Sequence, residues 1–440
     1  MRNPMAEKAA GLLQKALVTA QKKGASAGTL SLHHGQSIGC LFENGRLKKA
    51  DTEQRVSVSV ELVVDGREGR TSCNSLADLD EVAERALSLA KAGSAVHFDA
   101  YPPPATLTPV KTHSQRTVAL SRQSMIESCQ KIVDAIRKYD PELFIEAGAG
   151  RHESEGVLVT SGGVCHRAEH SGWHLDAWVQ RTEGTDMLFS GFGRGWKDLN
   201  EFYDPDVIIE HILEDLRNAR QVSPAPTGRA TALLSPDMLA TLLAPAQMGI
   251  NGRSVAKGDS PLRGRLGERI LDPCFTIVDD PHLDYCNGAG QISHDGIPTR
   301  KMAIIDGGVL KTFLYDLDSA AMAAAEPTGH NNCSPHSIDV APGQRSSKEL
   351  LASIDEGIYI KQLMGFGQSN IINGDFSSNV ALGYRIRNGE IVGRVKNTMV
   401  AGNVYEVLKN NVRLSSDKDP VRRMPYAVLE GIQVSAAEQK

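Results

Sequence analysis

At 440 residues, with 41% hydrophobic and 23% charged side chains, the chain has the balance of a folded globular protein and the length of two domains. Its formal net charge of −5, with Lys and Arg interspersed among acidic residues, lacks the basic footprint that a nucleic-acid partner needs. No apolar run approaches a membrane span, Glu7, Lys8 and Lys15 interrupt any signal-like stretch, and the seven cysteines form no CxxC pair, so a cytoplasmic, reduced protein with free thiols is expected.

The apolar spacing of Met5, Ala9, Leu12, Leu13, Ala16 and Ala20 predicts a first helix, stopped by Gly24. Strand-like runs follow, turned at Asn44-Gly45 and Asp65-Gly66, and a second helix runs from Leu79 to Ala90. After the Pro-rich stretch Tyr101 to Pro109 the layout recurs. A helix bears Ile126, Cys129, Ile132, Val133 and Ile136, strands turn near Ser161-Gly162-Gly163 and Glu183-Gly184, and Asp204-Pro205 opens a closing helix.

A second Pro-rich connector, Ser223 to Gly228, separates this part from a section of different character. Ser235-Pro236 opens a helix with Met238, Leu239, Leu242 and Leu243. Strand pairs are expected over 301–315, turned at Asp306-Gly307-Gly308, and over 380–395, turned at Asn388-Gly389, with a helix from Ser347 to Ile354. The expectation is an α+β protein: a duplicated helix–strands–helix N-terminal domain, 1–222, and a β-hairpin-rich C-terminal domain, 229–440.

Three His clusters invite a metal reading. His166, His170 and His174 share a helix face only if the segment is helical, yet the alternation of Trp173, Leu175, Ala177 and Val179 argues for a strand. On a strand, residues four apart stand roughly 13 Å from each other, too far for one ion. His152-Glu153 begins like a zincin motif, but no second His recurs at 156 or 157. The loop His330-Asn331-Asn332-Cys333-Ser334-Pro335-His336 offers two imidazoles and a thiolate, types that zinc accepts, or it is simply a satisfied loop. No P-loop and no Gly-x-Ser-x-Gly elbow occurs, so the residues by themselves supply no complete catalytic apparatus.

The segment SPDMLATLLAPAQMGINGRSVAKGDSPLRGRLGERILDPCFTIVDDP (235–281) resembles the TldD/PmbA family, long nicknamed modulators of DNA gyrase. GIPTRKMAIIDGGVLKTFLYD (296–316), the GHNNCSPH loop and MGFGQSNIINGDFSSNVALGYRIRNGEIVGRV (364–395) extend the likeness. The catalytic TldD branch carries His-Glu-x-x-x-His on the helix before the Gly-rich turn. Aligned on Gly249 to Gly258, this chain has Leu243, Ala244 and Met248 at those positions, with Pro245 between them. The branch's third ligand, a Cys near the C-terminus, has no counterpart after Cys333.

The resemblance therefore implies a PmbA/TldE-type, non-catalytic subunit that binds no cofactor itself, paired with a zinc-bearing TldD-type homologue that acts on short or unfolded peptides. Alternatives are a homodimeric metallopeptidase using the His330/Cys333/His336 loop and a peptide- or partner-binding module without hydrolysis. In the family frame, the loop Gly329 to His336 and the turn Asn373-Gly374-Asp375 lie in the C-terminal domain that builds the substrate passage, where the alternative is that they only close turns. His330, Asn331 and Asp375 are expected there to contact peptide or partner, as in strand-addition recognition.

Overall fold

In the computed structural model, which describes residues 4–184, 186–368 and 370–436, two copies of one layout open the chain. The first runs α1 (Pro4–Lys22), β1 (Ala27–Glu43), β2 (Arg46–Val64), β3 (Arg67–Cys73) and α2 (Leu79–Ala90). After a short α3 (Gln115–Val118), the second runs α4 (Arg122–Tyr139), β4 (Phe144–Thr160), β5 (Cys165–Glu183), β6 (Asp186–Trp196) and α5 (Pro205–Asn218). Strands β1 and β4 are each 17 residues long, and β2 and β5 each 19. That match, with the repeated element order, makes the duplication explicit.

The six strands form one antiparallel sheet in the order β3-β2-β1-β4-β5-β6, and the copies meet where β1 pairs β4. Gln36, the tenth residue of β1, lies opposite Glu153, the tenth of β4, so a pseudo-twofold axis passes between them. The hairpin turns follow from residue type: Asn44 and Gly45 have φ of 46° and 69°, the left-handed pair that a two-residue turn requires. Alternation sends Leu30, Leu32, Cys40 and Phe42 of β1 and Ile145, Ala147, Val157 and Val159 of β4 to one face. Helices α1 and α2 cover one half of that face, and α4 and α5 cover the other. Ser121 caps α4, and Asp204 followed by Pro205 starts α5.

Beyond the connector lie β7 (Gly228–Leu234), α6 (Pro236–Gly249), α7 (Gly252–Lys257), β8 (Ile277–Asp279), β9 (Met302–Asp306), β10 (Val309–Leu310), α8 (Leu317–Met322) and β11 (Ile338–Val340). Then come α9 (Ser347–Ala352), β12 (Glu356–Met364), β13 (Asp375–Arg387), β14 (Glu390–Arg394), β15 (Thr398–Asn403), α10 (Val404–Val407), β16 (Arg413–Asp419) and β17 (Met424–Ala436). The larger sheet runs β12-β7-β17-β15-β13-β14, and because β12 also pairs β13, five strands close into a ring. Leu234, Ile358, Phe376 and Val400 from those strands join Met238, Leu242 and Leu243 of α6 in one core. The smaller sheet, β10-β9-β8-β11, carries Asp279 at the end of β8.

Three details depart from the sequence pattern. The 301–315 strand pair ends at Leu310, and the pair over 380–395 begins earlier, at Asp375. The Pro-rich connector is no free tether: the Arg394 amide donates to Gln221 O at 2.7 Å and the Ser223 amide donates to Arg394 O at 2.9 Å. Contacts also cross it, since Leu382 and Tyr384 of β13 belong to the core under α4 and α5. All seven cysteines are free, and among the described residues no helix is long and apolar enough to cross a membrane.

Candidate functional site

Ser235 caps α6 by accepting from the Met238 amide, and Pro236 takes the first helical position. Two turns later Leu243 is buried in the core, Ala244 is half-buried and Met248 is 40% exposed. A hydrocarbon side chain offers no lone pair, Ala244 offers no proton acceptor, and an exposed thioether is a poor zinc ligand. These positions do not fit a zinc ion. The helix is instead fixed from outside: the Tyr405 hydroxyl donates to Pro245 O at 3.0 Å, and a Cβ on Gly249 would stand 2.9 Å from that hydroxyl.

The His330 loop does converge on something, but not as its spacing suggested. His330 Nε2 and His336 Nδ1 lie 2.9 Å and 3.0 Å from the same oxygen, Oδ2 of Asp279. The other carboxylate oxygen accepts from the Ser337 amide at 2.5 Å. Asp279 and His330 have no exposed surface, and His336 keeps 11% of its side chain exposed. Burial works to raise the Asp279 carboxyl, but the hydrogen bonds from His330, His336 and Ser337 outweigh it and hold the group below the usual carboxylate range. Among the described residues, these three are the one group of His, Cys, Asp or Glu side chains whose ligand atoms all lie within 4.8 Å of each other.

Cys333 is not part of this cluster. Asn332 and Cys333 take φ of 52° and 56°, which turns the thiol toward α8, 3.1 Å from Ser319 Oγ and within reach of the Asp316 amide. The proposed His330/Cys333/His336 trio is thus corrected to Asp279/His330/His336. Asp279 was readable only as the acidic end of a strand, and no local spacing ties it to the loop 51 residues on.

The expected contact residues separate. His330, without exposed surface, cannot touch a peptide in this arrangement. Asn331 is half-buried, and its Oδ1 accepts from the His294 amide at 2.8 Å. Asp375 is exposed at the start of β13, bonded to Asn403 Nδ2 at 2.8 Å, and Ser377 and Asn379 face outward beside it. The loop touches the α6–α7 segment through Asn251 Nδ2 on Asn332 O at 3.0 Å, and Tyr405 of α10, which stands beside Gly374, bonds Pro245 O of α6.

His166, His170 and His174 all lie on β5, with His152 on the neighbouring β4. They line the sheet face without helices and form no convergent set among the described residues. Burial, aided by the charge of Lys197, lowers His170 to about 4. A cleft of about 910 Å³ lies between the two domains, lined by Phe192, Arg194, His211, Asp215, Asp237 and Lys361 among others. Several of its charges are paired: Lys361 with Asp215, Arg194 with Asp419, and Arg422 Nε with Asp237 at 2.6 Å. It meets α6 at Asp237 to Thr241, at the opposite end from Met248.

Comparison with known proteins supplies the family. Residues 227–436 match the PmbA/TldA metallopeptidase C-terminal domain, and residues 29–90 match PmbA/TldA metallopeptidase domain 1. A metalloprotease of Methanothermobacter thermautotrophicus is 32% identical over 237 residues, 51% of each chain. Metalloprotease PmbA of Escherichia coli O157:H7 is 29% identical over 223 residues, 48% of this chain and 49% of that one. The chain spans about half the length of the curated relatives it matches. In fold it is similar to TldE of Thermococcus kodakarensis, with a TM-score of 0.88 at 21% identity over 97% of this chain and 100% of that one. A candidate modulator of DNA gyrase from Bacteroides thetaiotaomicron gives a TM-score of 0.89 at 22% identity over 99% and 100%. The two matched domains together take in more than half of the residues, and the chain belongs to the PmbA/TldD family.

Proposed function

We propose that this chain is a PmbA/TldE-type subunit without a catalytic metal, working with a TldD-type homologue that carries the zinc of a peptidase for short or unfolded peptides. The observation that carries the reading is the α6 segment, where Leu243, Ala244 and Met248 stand in place of two ligands and a base. Family membership supports the partnership, as does the likeness in fold to a protein called TldE. On this reading Asp375, with Ser377 and Asn379, meets peptide or partner at the outer face of β13, in the cytoplasm.

A second reading, a homodimeric metallopeptidase, draws on the Asp279/His330/His336 cluster. The burial of two of its three members weighs against it, because a substrate cannot reach them. Co-expression with a homologue bearing His-Glu-x-x-x-His separates the two. The first reading predicts a stable complex containing both chains. A chain that purifies alone and hydrolyses peptides by itself, in a manner lost on Asp279→Asn, would favour the second.

A further inference from the structure

His330 and His336 converge on one oxygen of a carboxylate that has no exposed surface. The Thr328 hydroxyl accepts from the Tyr315 amide at 2.7 Å and lies 3.0 Å from Tyr315 O. That hydroxyl oxygen also stands 2.8 Å from His330 Nδ1, which donates to it in one tautomer and takes its proton in the other, since Tyr315 O already accepts from the Thr328 amide at 3.0 Å. With the proton on Nδ1, Nε2 presents a lone pair to Asp279 Oδ2 at 2.9 Å, an approach that a cation between them relieves; with it on Nε2, the ring donates to the carboxylate. Either a proton or a cation must lie between them.

Among the described residues no Lys or Arg forms an ion pair with Asp279. Lys301 is engaged by Asp280 at 2.9 Å, and Arg423 by Asp339 at 2.6 Å. A fully buried carboxylate is thereby left with two imidazoles and one backbone amide. His336 reaches the same oxygen from its Nδ1, while its buried Nε2 has no partner to fix the tautomer, so Nδ1 is free to offer a lone pair.

We propose that Asp279, His330 and His336 form a structural site for one divalent ion of borderline character, such as zinc. Two imidazoles and a carboxylate suit that class, and the hydrogen bond from His330 Nδ1 to Thr328 is the outer support that metal-bound imidazoles use. The ligands are His330 Nε2, His336 Nδ1 and Asp279 Oδ2. The ion ties the 329–336 loop to the edge of β8. It departs from the expectation that the chain holds no metal, and it is separate from catalysis, since the α6 positions carry no ligand. The loop's backbone is consistent with such a clamp: Asn332 and Cys333 are successive non-glycine residues in the left-handed region, a conformation that surrounding interactions must hold.

The test uses the full chain, stripped by a chelator and titrated with zinc. The proposal predicts one zinc per chain, a rise in melting temperature on loading, and an X-ray absorption spectrum of the bound zinc with nitrogen and oxygen neighbours and no sulfur. Asp279→Asn and His336→Gln, checked for native circular dichroism, should each weaken binding roughly 100-fold or more. No stoichiometric zinc in the wild-type chain would overturn it in favour of plain hydrogen bonds from His330 and His336 to Asp279. Sulfur in the spectrum, or wild-type affinity in both folded variants, would overturn it by moving the ion to other residues. Should either variant fail to fold, the wild-type stoichiometry and spectrum still decide the matter.

Discussion

Gly288 is packed against the backbone of His336 so closely that a Cβ on it would stand 1.7 Å from the His336 carbonyl oxygen. The contact is with backbone, so no side-chain rotation relieves it, and it fixes the chain at the end of the loop that meets Asp279. Gly288→Ala should therefore destabilise the protein by about 1–3 kcal/mol, the usual cost of overpacking. Gly290→Ala, whose Cβ would meet nothing within 4 Å, is the control and should fall within about 0.5 kcal/mol of wild type in urea unfolding.

The α6 positions should respond as packing residues. Leu243→Ala removes a side chain 1% exposed and should cost about 2–5 kcal/mol, whereas Met248→Ala, at 40% exposure, should change stability by less than about 0.5 kcal/mol. Equal, small effects at both sites would show that Leu243 is not part of the core.

Asn251 serves two elements at once. Its Oδ1 accepts from the Arg253 and Ser254 amides to cap α7, while its Nδ2 donates to Asn332 O. Asn251→Ala should cost about 1 kcal/mol through the lost cap and speed hydrogen exchange in 331–334. Unchanged exchange there would mean that the link to Asn332 does not hold the loop.

His170 and His211 are both lowered from 6.5 to about 4, by burial first and then by Lys197 and Lys361 respectively. Between those values the unfolded chain takes up protons that the folded chain refuses, so their contribution to stability is complete above pH 6.5 and is lost as pH falls toward 4. Urea midpoints at pH 7.5 and pH 5 should show a smaller acid loss in the His170→Gln/His211→Gln double variant than in wild type. An identical loss would remove both histidines from the acid response.

Much of this architecture was readable where the signal is local. The 3.6-residue spacing of Ile132, Val133 and Ile136, the Asp204-Pro205 start and the Asn44-Gly45 turn all lie where the sequence indicates, because caps, periodicity and turn chemistry are short-range. The buried cluster was half readable. His330 and His336 stand six positions apart, but Asp279 reaches them only because β8 and β11 pair, with Asp279 opposite Ile338. Cys333 was the wrong third member for a reason residue type does not reveal: its left-handed backbone points the thiol at Ser319. The closed ring of β12, β7, β17, β15 and β13 was likewise hidden, since β7 and β17 pair across nearly the whole C-terminal section.

The central claim is that this chain contributes no catalytic metal of its own to the peptidase. Its most direct test measures peptide turnover by the chain alone, by the TldD-type homologue alone, and by the reconstituted pair, repeated with the homologue's two zinc-binding histidines replaced by Ala. The account predicts no turnover from this chain with or without added zinc, full turnover from the intact pair, and none once the homologue's histidines are gone. Chelator-sensitive turnover that survives their loss would contradict it.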